Sequence, residues 1–305
     1  MMVTGLDNFL TDASAWVDTL AQKRAAFLGC GDSLAASRPA ENLGHRVMSA
    51  GDVAWGEQSP QGVDLSIALS WSGRTGATIR AAETVKASGQ PVWAITSNPL
   101  SPLAQLADRH LQLPGEAREE DIPTWGFALH SLAVLTALGI RAELPKILEA
   151  SGRMENALSG TLFPAQAPAA ITVTALPDSH ATAEFWSLKL IEATGVTARV
   201  APLEEVGHVD YFLGPQPHLV LIPLVGMGHE RATQLGEALE RNGHIVLTFD
   251  VRYQEAALDA AEFGLALSLA GKGLARAAAK AWGREYFRGG LVDMSAKHIQ
   301  VPMTS

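Results

Sequence analysis

A strand–loop–helix unit around residues 70–76 constrains how this chain folds more than any other feature. Residues 65–69 form an apolar run of strand length, which ends at the polar loop Ser-Trp-Ser-Gly-Arg-Thr-Gly. Apolar residues then recur at three-residue steps at Ile79, Ala82 and Val85, a spacing typical of a helix. A wholly apolar strand followed directly by a helix favours a parallel sheet that is covered on both faces.

The loop between this strand and helix has the composition of a small anion site. Ser70, Ser72 and Thr75 supply hydroxyls, and Gly73 and Gly76 allow the chain to bend closely around a ligand. The free N–H groups and the positive dipole end of the next helix attract an anion, and a phosphate monoester has a suitable size. An ordinary turn with a serine-rich cap is the alternative, and the residues alone leave both interpretations open.

Strand-length apolar runs alternate with helical patterns along the rest of the chain, as in βαβ units. The predicted strands are residues 25–30, 65–69, 90–96, 110–113, 170–175, 218–225, 245–250 and 263–269. The predicted helices include residues 6–23, Ser33 to about 48, 124–138, 141–159, 179–194, 229–241 and 272–287. We therefore predict an α/β fold of two similar halves, with a packed connection near residues 159–169.

A second strand-to-helix turn lies earlier in the chain, in the sequence Gly-Cys-Gly-Asp-Ser of residues 29–33. It offers backbone amides and the Ser33 hydroxyl. Because the carboxyl ends of parallel strands lie at one edge of a sheet, we expect this turn and the loop of residues 70–76 to share that edge.

Composition limits the classes of function. The chain has 305 residues, 47% of them hydrophobic, and a formal net charge of −9, which argues against nucleic-acid partners and anionic membranes. An anionic ligand must therefore be held locally by amides and hydroxyls.

The single cysteine, Cys30, excludes an internal disulfide and a cysteine-based metal cluster. No histidine pair has metal-ligand spacing with a carboxylate, so we predict no metal. The start of the chain lacks a secretory signal pattern and no apolar run approaches membrane-spanning length, so we expect a cytoplasmic protein.

The two turns together resemble those of a known group, the double sugar isomerase (SIS) domain proteins. The matching pattern is Gly29-x-Gly31-x-Ser33 followed by Ser70-x-Ser72-Gly73-x-Thr75. The group includes the isomerase half of glucosamine-6-phosphate synthase, phosphosugar deaminases, fructosamine-6-phosphate deglycases and archaeal phosphoglucose/phosphomannose isomerases. The resemblance covers nearly the whole chain. It implies two SIS domains, residues 1–159 and 160–305, each a flavodoxin-like three-layer α/β/α unit.

The resemblance assigns the substrate phosphate to the two turns. The implied ligands are Ser33, Ser70, Ser72 and Thr75, with Gly31, Trp71, Gly73 and Arg74 as further residues of the same turns. Two positions depart from the family pattern: Trp71 replaces a residue that is often polar, and Asp32 stands beside Ser33. An acid next to a phosphate weakens binding unless it turns toward sugar hydroxyls, and Arg74 is placed to compensate.

The second half supplies the implied chemistry. The family has a catalytic Glu on a helix and a His sixteen positions later, and Glu192 and His208 have that spacing. The resemblance makes Glu192 the base that moves a proton between C1 and C2, and His208 the group that opens the sugar ring. On the helical wheel Glu192 falls between Phe185 and Leu188, where partial desolvation should raise its pKa. Without the resemblance, a surface glutamate and a loop histidine are the alternatives.

Two lysines complete the implied site. Family members close with a tail lysine that reaches into the site, and Lys297 has that place here; a solvated tail lysine is the alternative. Its ammonium would stabilise an enediolate oxygen or, in amine-handling members, form a Schiff base. Lys189 lies three residues before Glu192 and is spaced to pair with it.

The resemblance implies a phosphosugar aldose–ketose isomerase that acts through a cis-enediol on a hexose or amino-hexose 6-phosphate. It also implies a homodimer with shared active sites and no metal or redox cofactor. The alternatives are an amino-sugar phosphate deaminase, a fructosamine-6-phosphate deglycase and, from another class, a non-catalytic sugar-phosphate-binding regulator. Such regulators usually carry a DNA-binding helix-turn-helix, and we expect the 24 residues before the first predicted strand to be too few for one.

Overall fold

The computed structural model describes residues 4–115, 120–213, 218–223, 228–250, 258–284 and 293–302. Its helices are α1 (Leu6–Ser14), α2 (Val17–Gln22), α3 (Asp32–Ser37), α4 (Ala50–Gly56), α5 (Gly76–Ala87), α6 (Pro102–Leu106), α7 (Trp125–Ala137), α8 (Leu144–Ser159), α9 (His180–Thr194), α10 (Leu203–Val209), α11 (His229–Arg241) and α12 (Ala260–Ala281). Its strands are β1 (Ala25–Gly29), β2 (Arg46–Ser49), β3 (Leu65–Leu69), β4 (Val92–Thr96), β5 (Arg109–Gln112), β6 (Ala170–Ala175), β7 (Ala198–Pro202), β8 (His218–Pro223) and β9 (Ile245–Phe249). Single 3-10 segments lie at Arg38–Leu43, Pro177–Ser179, Asp210–Leu213 and Ser295–His298.

These elements form two compact units. Unit 1 draws its residues from 1–119, 125–142 and 292–305, and unit 2 from 120–124 and 143–291. Each unit contains one sheet, and all strand pairs of both sheets are parallel. Helices connect and cover the strands, so the predicted α/β class with parallel sheets is confirmed. No helix of the described ranges is long and apolar enough to cross a membrane.

The sheet of unit 1 has the strand order β2-β1-β3-β4-β5. β1, β3 and β4 are buried at every position, as parallel strands covered on both faces must be. From β1 the chain moves to β2 on one side and then to β3 on the other, so the strand order reverses between β1 and β3. In sheets of this order, ligands bind beyond the carboxyl ends of the strands at that reversal.

The sheet of unit 2 has the order β7-β6-β8-β9, which reverses in the same way between β6 and β8. One apolar cluster joins β7, α10, β8 and α11. On α9, the buried Trp186 donates its indole N–H to the carbonyl oxygen of Leu267 on α12, 3.0 Å away. The core of unit 2 therefore continues from its sheet into packed helices.

The predicted strand at residues 263–269 is wrong, because these residues belong to α12. Asp259 and Glu262 form a capping box in which each carboxylate accepts a hydrogen bond from the backbone N–H of the other, and this box begins the helix before the apolar run. α12 packs against α8 and α9, so it is apolar on several sides and its local pattern does not differ from that of a buried strand. The helix predicted at residues 272–287 is the second part of α12, and residues 285–287 lie outside the described chain.

The helix predicted from Ser33 to about residue 48 is wrong in its second half. The chain passes from α3 into the 3-10 segment Arg38–Leu43, which has Pro39 near its start, and then through Gly44 with a φ of 81°. The positive φ ends the helical segment and turns the chain into β2. β2 lies at the sheet edge and is only half-buried, so it lacks the apolar run that would indicate a strand.

The bounds of the two units differ from the predicted division at residue 159. α8 packs against α12, so residues 143–159 belong to unit 2. The C-terminal residues 293–302 contact α5 and belong to unit 1. The assignment of one SIS domain to each half stays a prediction.

Candidate functional site

The turn after β1 is built on two glycines that bring Ser33 to the carboxyl edge of the unit 1 sheet. A Cβ on Gly29 would lie 2.9 Å from the backbone nitrogen of Leu34, so only glycine allows the chain to return this closely onto α3. Gly31 has a φ of 55°, a conformation that favours glycine. Ser33 follows in the first turn of α3 and is buried.

The loop after β3 presents its hydroxyls at the same edge. The Ser70 and Thr75 side-chain oxygens are 3.1 Å apart, and the Ser72 hydroxyl accepts a hydrogen bond from the Arg74 N–H at 3.3 Å. Gly73 has a φ of 63° and lies against the side chain of Ser101. Because β1 and β3 are adjacent, both predicted turns flank the point at which the strand order reverses.

The start of α5 has no side-chain cap. Thr75 is the N-cap residue, yet its side chain makes no capping hydrogen bond and contacts Ser70 instead. The N–H groups in the first turn of this helix have no intrahelical partner and carry the positive end of the helix dipole. Backbone N–H groups and side-chain hydroxyls at one helix start form a suitable cradle for a phosphate-sized anion.

The Trp71 side chain packs onto α7. A Cβ on Gly126 would lie 3.3 Å from the indole ring, and the ring meets the imidazole of His130 edge to face with 6.3 Å between centroids. The Trp71 carbonyl accepts hydrogen bonds from the N–H and the hydroxyl of Ser97, at 3.0 and 2.8 Å. The unusual tryptophan therefore fixes the loop to its surroundings. Arg74 is exposed.

His130 is a buried neutral histidine beside this loop, which the sequence analysis did not select. Its Nδ1–H donates to the carbonyl oxygen of Gly126 at 2.8 Å, and the backbone of Ile95 also interacts with the ring. Burial lowers the pKa of His130 to about 4, against the opposing effects of its backbone hydrogen bonds and of Asp32.

Replacing His130 by phenylalanine is expected to reduce the fall in the free energy of unfolding that occurs as the pH is lowered. The unfolded chain takes up a proton at His130 near pH 6.5, whereas the folded chain resists until about pH 4, so stability falls as the pH drops through this interval. Between pH 7.5 and 5 the wild type should lose about 2 kcal/mol more than His130→Phe. Urea unfolding at both pH values measures the difference, and equal losses would contradict the assignment.

In unit 2, α9 carries the predicted base next to a buried lysine. The Lys189 Nζ donates to the Glu192 Oε2 at 2.7 Å, and the side chains of the two residues are 1% and 33% exposed. The ammonium also lies 5.0 Å from the centroid of the Phe185 ring. The ion pair that the i,i+3 spacing suggests is therefore formed, with the carboxylate partly open to solvent and the ammonium enclosed.

His208 is exposed near the end of α10, and a buried network anchors the residues that follow it. Asp210 accepts hydrogen bonds from the Thr172 hydroxyl at 3.0 Å and from the Arg199 guanidinium. Because the Thr172 hydrogen points to Asp210, its oxygen accepts from the His218 Nε2–H at 2.9 Å. Asp210 and the start of β8 both lie at the amino edge of the unit 2 sheet, so the network holds the end of α10 at that edge.

The same network includes a second histidine. The Nδ1 atoms of His218 and His244 are 3.1 Å apart, which requires His244 to donate when His218 carries its proton on Nε2. Burial lowers the pKa of His218 below its usual range, and Asp210 opposes the shift. No local sequence pattern indicates this cluster, because its hydrogen bonds join residues 26 to 46 positions apart. Across the described ranges no three His, Cys, Asp or Glu side chains converge as metal ligands.

Lys297 lies in the 3-10 segment Ser295–His298 of unit 1 and is exposed. The neighbouring His298 ring makes a 3.1 Å hydrogen bond through its Nδ1 to the carbonyl oxygen of Arg74. The structure therefore brings the tail segment that contains Lys297 to the hydroxyl-bearing loop. Glu192 and His208 lie in unit 2, on α9 and α10.

Part of the chain matches a known protein family. Residues 61–141 match the SIS domain, a segment that contains the β3 loop and α5 and excludes the β1 turn. A 71-residue segment, 23% of this chain, is 41% identical to an uncharacterized protein of Aeropyrum pernix, and it spans 33% of that relative's length. The SIS resemblance is therefore confirmed for residues 61–141, and a second SIS domain stays a prediction.

Several solved structures share the fold of the whole chain. Glucosamine-6-phosphate deaminase from Thermotoga maritima is similar with a TM-score of 0.72 at 20% identity, covering 94% of this chain and 97% of that one. Tagatose-6-phosphate ketose/aldose isomerase from Escherichia coli has a TM-score of 0.71 at 16% identity, covering 91% and 89%. The C-terminal domain of glucosamine-fructose-6-phosphate aminotransferase from Francisella tularensis has a TM-score of 0.69 at 14% identity, covering 92% and 95%.

Proposed function

We propose that this protein is an aldose–ketose isomerase of a hexose or amino-hexose 6-phosphate. The observation that carries the proposal is the pair of hydroxyl-bearing turns at the β1/β3 reversal, beside the uncapped start of α5. This arrangement suits a phosphate monoester. The match to the SIS domain and the names of the fold relatives, an isomerase and a deaminase of sugar phosphates, support the same substrate class.

The proposed mechanism begins with the phosphate. The hydroxyls of Ser33, Ser70, Ser72 and Thr75 and the N–H groups of α5 bind it, and this binding energy orients the remote carbons. The imidazole of His208 then transfers a proton between the ring oxygen and the C1 hydroxyl, which opens the ring to an aldehyde. Ring opening exposes the C2 hydrogen beside a carbonyl, where it is acidic enough for a carboxylate to remove.

The isomerisation itself is assigned to Glu192. Its carboxylate removes the C2 proton of the open-chain aldose to form a cis-enediol and returns a proton to C1, while a proton moves from the C2 oxygen to the C1 oxygen. The Lys297 ammonium stabilises the negative charge on the enediolate oxygen. Lys189 orients the Glu192 carboxylate through their ion pair. The adjacent carbonyl acidifies the proton, so the scheme needs no metal or redox cofactor.

Deamination of an amino-hexose 6-phosphate is the second candidate. The similarity in fold to the deaminase from Thermotoga maritima favours it. The same base and the same phosphate cradle serve this reaction: transfer of the proton from C2 to C1 turns the C2 amine into an imine, and water then hydrolyses the imine to the C2 ketone with release of ammonia. A fructosamine-6-phosphate deglycase would use the same groups and release a larger amine.

The proposal extends to assembly and location. We propose two SIS domains per chain, a homodimer whose active sites are shared between subunits, and a cytoplasmic location. An exposed cluster of apolar side chains on the 3-10 segment after His208, formed by Tyr211, Phe212 and Leu213, supports burial of this part of the surface in a dimer.

A coupled assay on glucose, mannose, galactose and glucosamine 6-phosphates tests the proposed reaction. We expect ketose 6-phosphate to form from at least one of them, and ammonia as well if the deaminase candidate holds. Binding of a sugar phosphate without turnover on the whole panel would instead favour the non-catalytic regulator. Binding is measured separately, as the increase in urea midpoint with added sugar phosphate.

A further inference from the structure

The C-terminal residues 293–302 form a tail that crosses the start of α5. A short turn is held by hydrogen bonds from the Lys297 N–H to the Met294 carbonyl at 3.3 Å and from the Ile299 N–H to the Ala296 carbonyl at 3.1 Å. Beyond this turn, the partly buried Val301 packs on the apolar cluster formed by β1, α4 and α5. The tail therefore has a compact turn at its start and packs on unit 1 at its end.

Gly76, the first residue of α5, provides space for this tail. A Cβ on Gly76 would collide with the carbonyl oxygen of Ile299 and would lie 2.8 Å from the carbonyl carbon. The φ of Gly76 is not positive, so its backbone is open to any residue. Glycine is unfavourable in a helix compared with alanine. The close approach of the tail is thus what requires glycine here.

A second contact fixes the tail one residue earlier. His298 forms its hydrogen bond with the Arg74 carbonyl, and Arg74 lies between Ser72 and Thr75 of the hydroxyl-bearing loop. Lys297 is the residue directly before these two contacts. The loop that presents the hydroxyls therefore also sets the position of the tail.

We infer that Gly76 and His298 are positioning residues, which dock the tail on the loop so that Lys297 is held in place for the bound sugar phosphate. This inference rests on the proposed function and adds two residues to it. Neither residue contacts the reacting atoms. Gly76 acts by allowing the Ile299 carbonyl to approach, and His298 acts through its bond to Arg74. Loss of either contact frees Lys297 and leaves every hydroxyl of the phosphate cradle in place.

Trypsin cleavage after Lys297 measures docking without any substrate. In Gly76→Ala the methyl group displaces Ile299. We therefore expect trypsin to remove residues 298–305 about tenfold faster than in the wild type, as measured by the mass of the intact protein. His298→Ala should accelerate it in the same direction. Gly152→Ala is the matched control, because a Cβ on this helical glycine meets nothing within 4 Å. Equal cleavage rates in Gly76→Ala and the wild type would overturn the docking.

Kinetics then test positioning against a merely structural role. Alanine favours the helix and keeps the backbone N–H of residue 76, so Gly76→Ala should keep a urea midpoint close to that of the wild type. Its KM should stay within about twofold, whereas its kcat should fall about tenfold or more. Faster cleavage with an unchanged kcat would overturn the positioning role. A wild type that converts no sugar phosphate would overturn the proposed function instead, and the cleavage rates would still decide whether Gly76 docks the tail.

Discussion

Replacing Glu192 by glutamine is expected to lower kcat by about 10²- to 10⁴-fold, the range typical for loss of a general base. Glutamine keeps the size of the side chain and cannot take a proton from C2. Its carbonyl oxygen can still accept the hydrogen bond that Lys189 now donates at 2.7 Å. Glutamine and alanine both remove the negative charge, but alanine would also remove the hydrogen-bond acceptor of the buried Lys189 ammonium, and the larger loss of stability would be confused with loss of chemistry.

The sharpest measurement for Glu192→Gln is exchange of the C2 hydrogen with solvent. In heavy water the wild type should transfer deuterium to the sugar phosphate during turnover, whereas the variant should not. The sugar phosphate should still raise the urea midpoint of the variant, because the phosphate cradle is unchanged. Glu237→Gln, which removes an exposed carboxylate on α11, is the control and should retain wild-type exchange. Exchange at the wild-type rate in Glu192→Gln would exclude Glu192 as the base.

The parts of the fold that sequence predicts are those in which one local pattern determines the structure. β3, the polar loop and α5 were predicted together, because a wholly buried strand and a helical period leave little choice. Two of the four edge strands, β2 and β7, were not predicted. β2 and β7 are only partly buried, so packing and backbone pairing create them where composition does not indicate them.

The residues of the candidate site also differ in whether a local sequence pattern predicts them. The two phosphate turns could be predicted because each requires glycines and hydroxyls at fixed offsets from a strand. The enclosure of Lys189 could not, since it depends on the whole environment of α9. The network joins Thr172 to Asp210 and His218, which lie 38 and 46 positions further along the chain. No short pattern indicates contacts of that range, because the topology of the sheet creates them.

The phosphate cradle can be tested by removing the two hydroxyls that contact each other. Ser70→Ala combined with Thr75→Val deletes both ends of the 3.1 Å contact, so neither hydroxyl is left without its partner. Because Thr75 makes no side-chain cap, its isosteric replacement by valine should leave the start of α5 in place. Any change in sugar phosphate affinity then reports on the ligand rather than on the helix.

Each lost hydrogen bond to a charged phosphate is expected to weaken binding by about 10- to 10²-fold, so kcat/KM of the double variant should fall by at least about 10²-fold. Inhibition by inorganic phosphate should weaken in parallel. Ser66→Ala is the matched control, since Ser66 lies on β3 itself and its buried hydroxyl has no partner in the described structure. If the double variant kept the parental KM and phosphate inhibition, the anion would have to bind elsewhere. The proposed orientation of the sugar, with its phosphate at the β1/β3 reversal, would then be wrong.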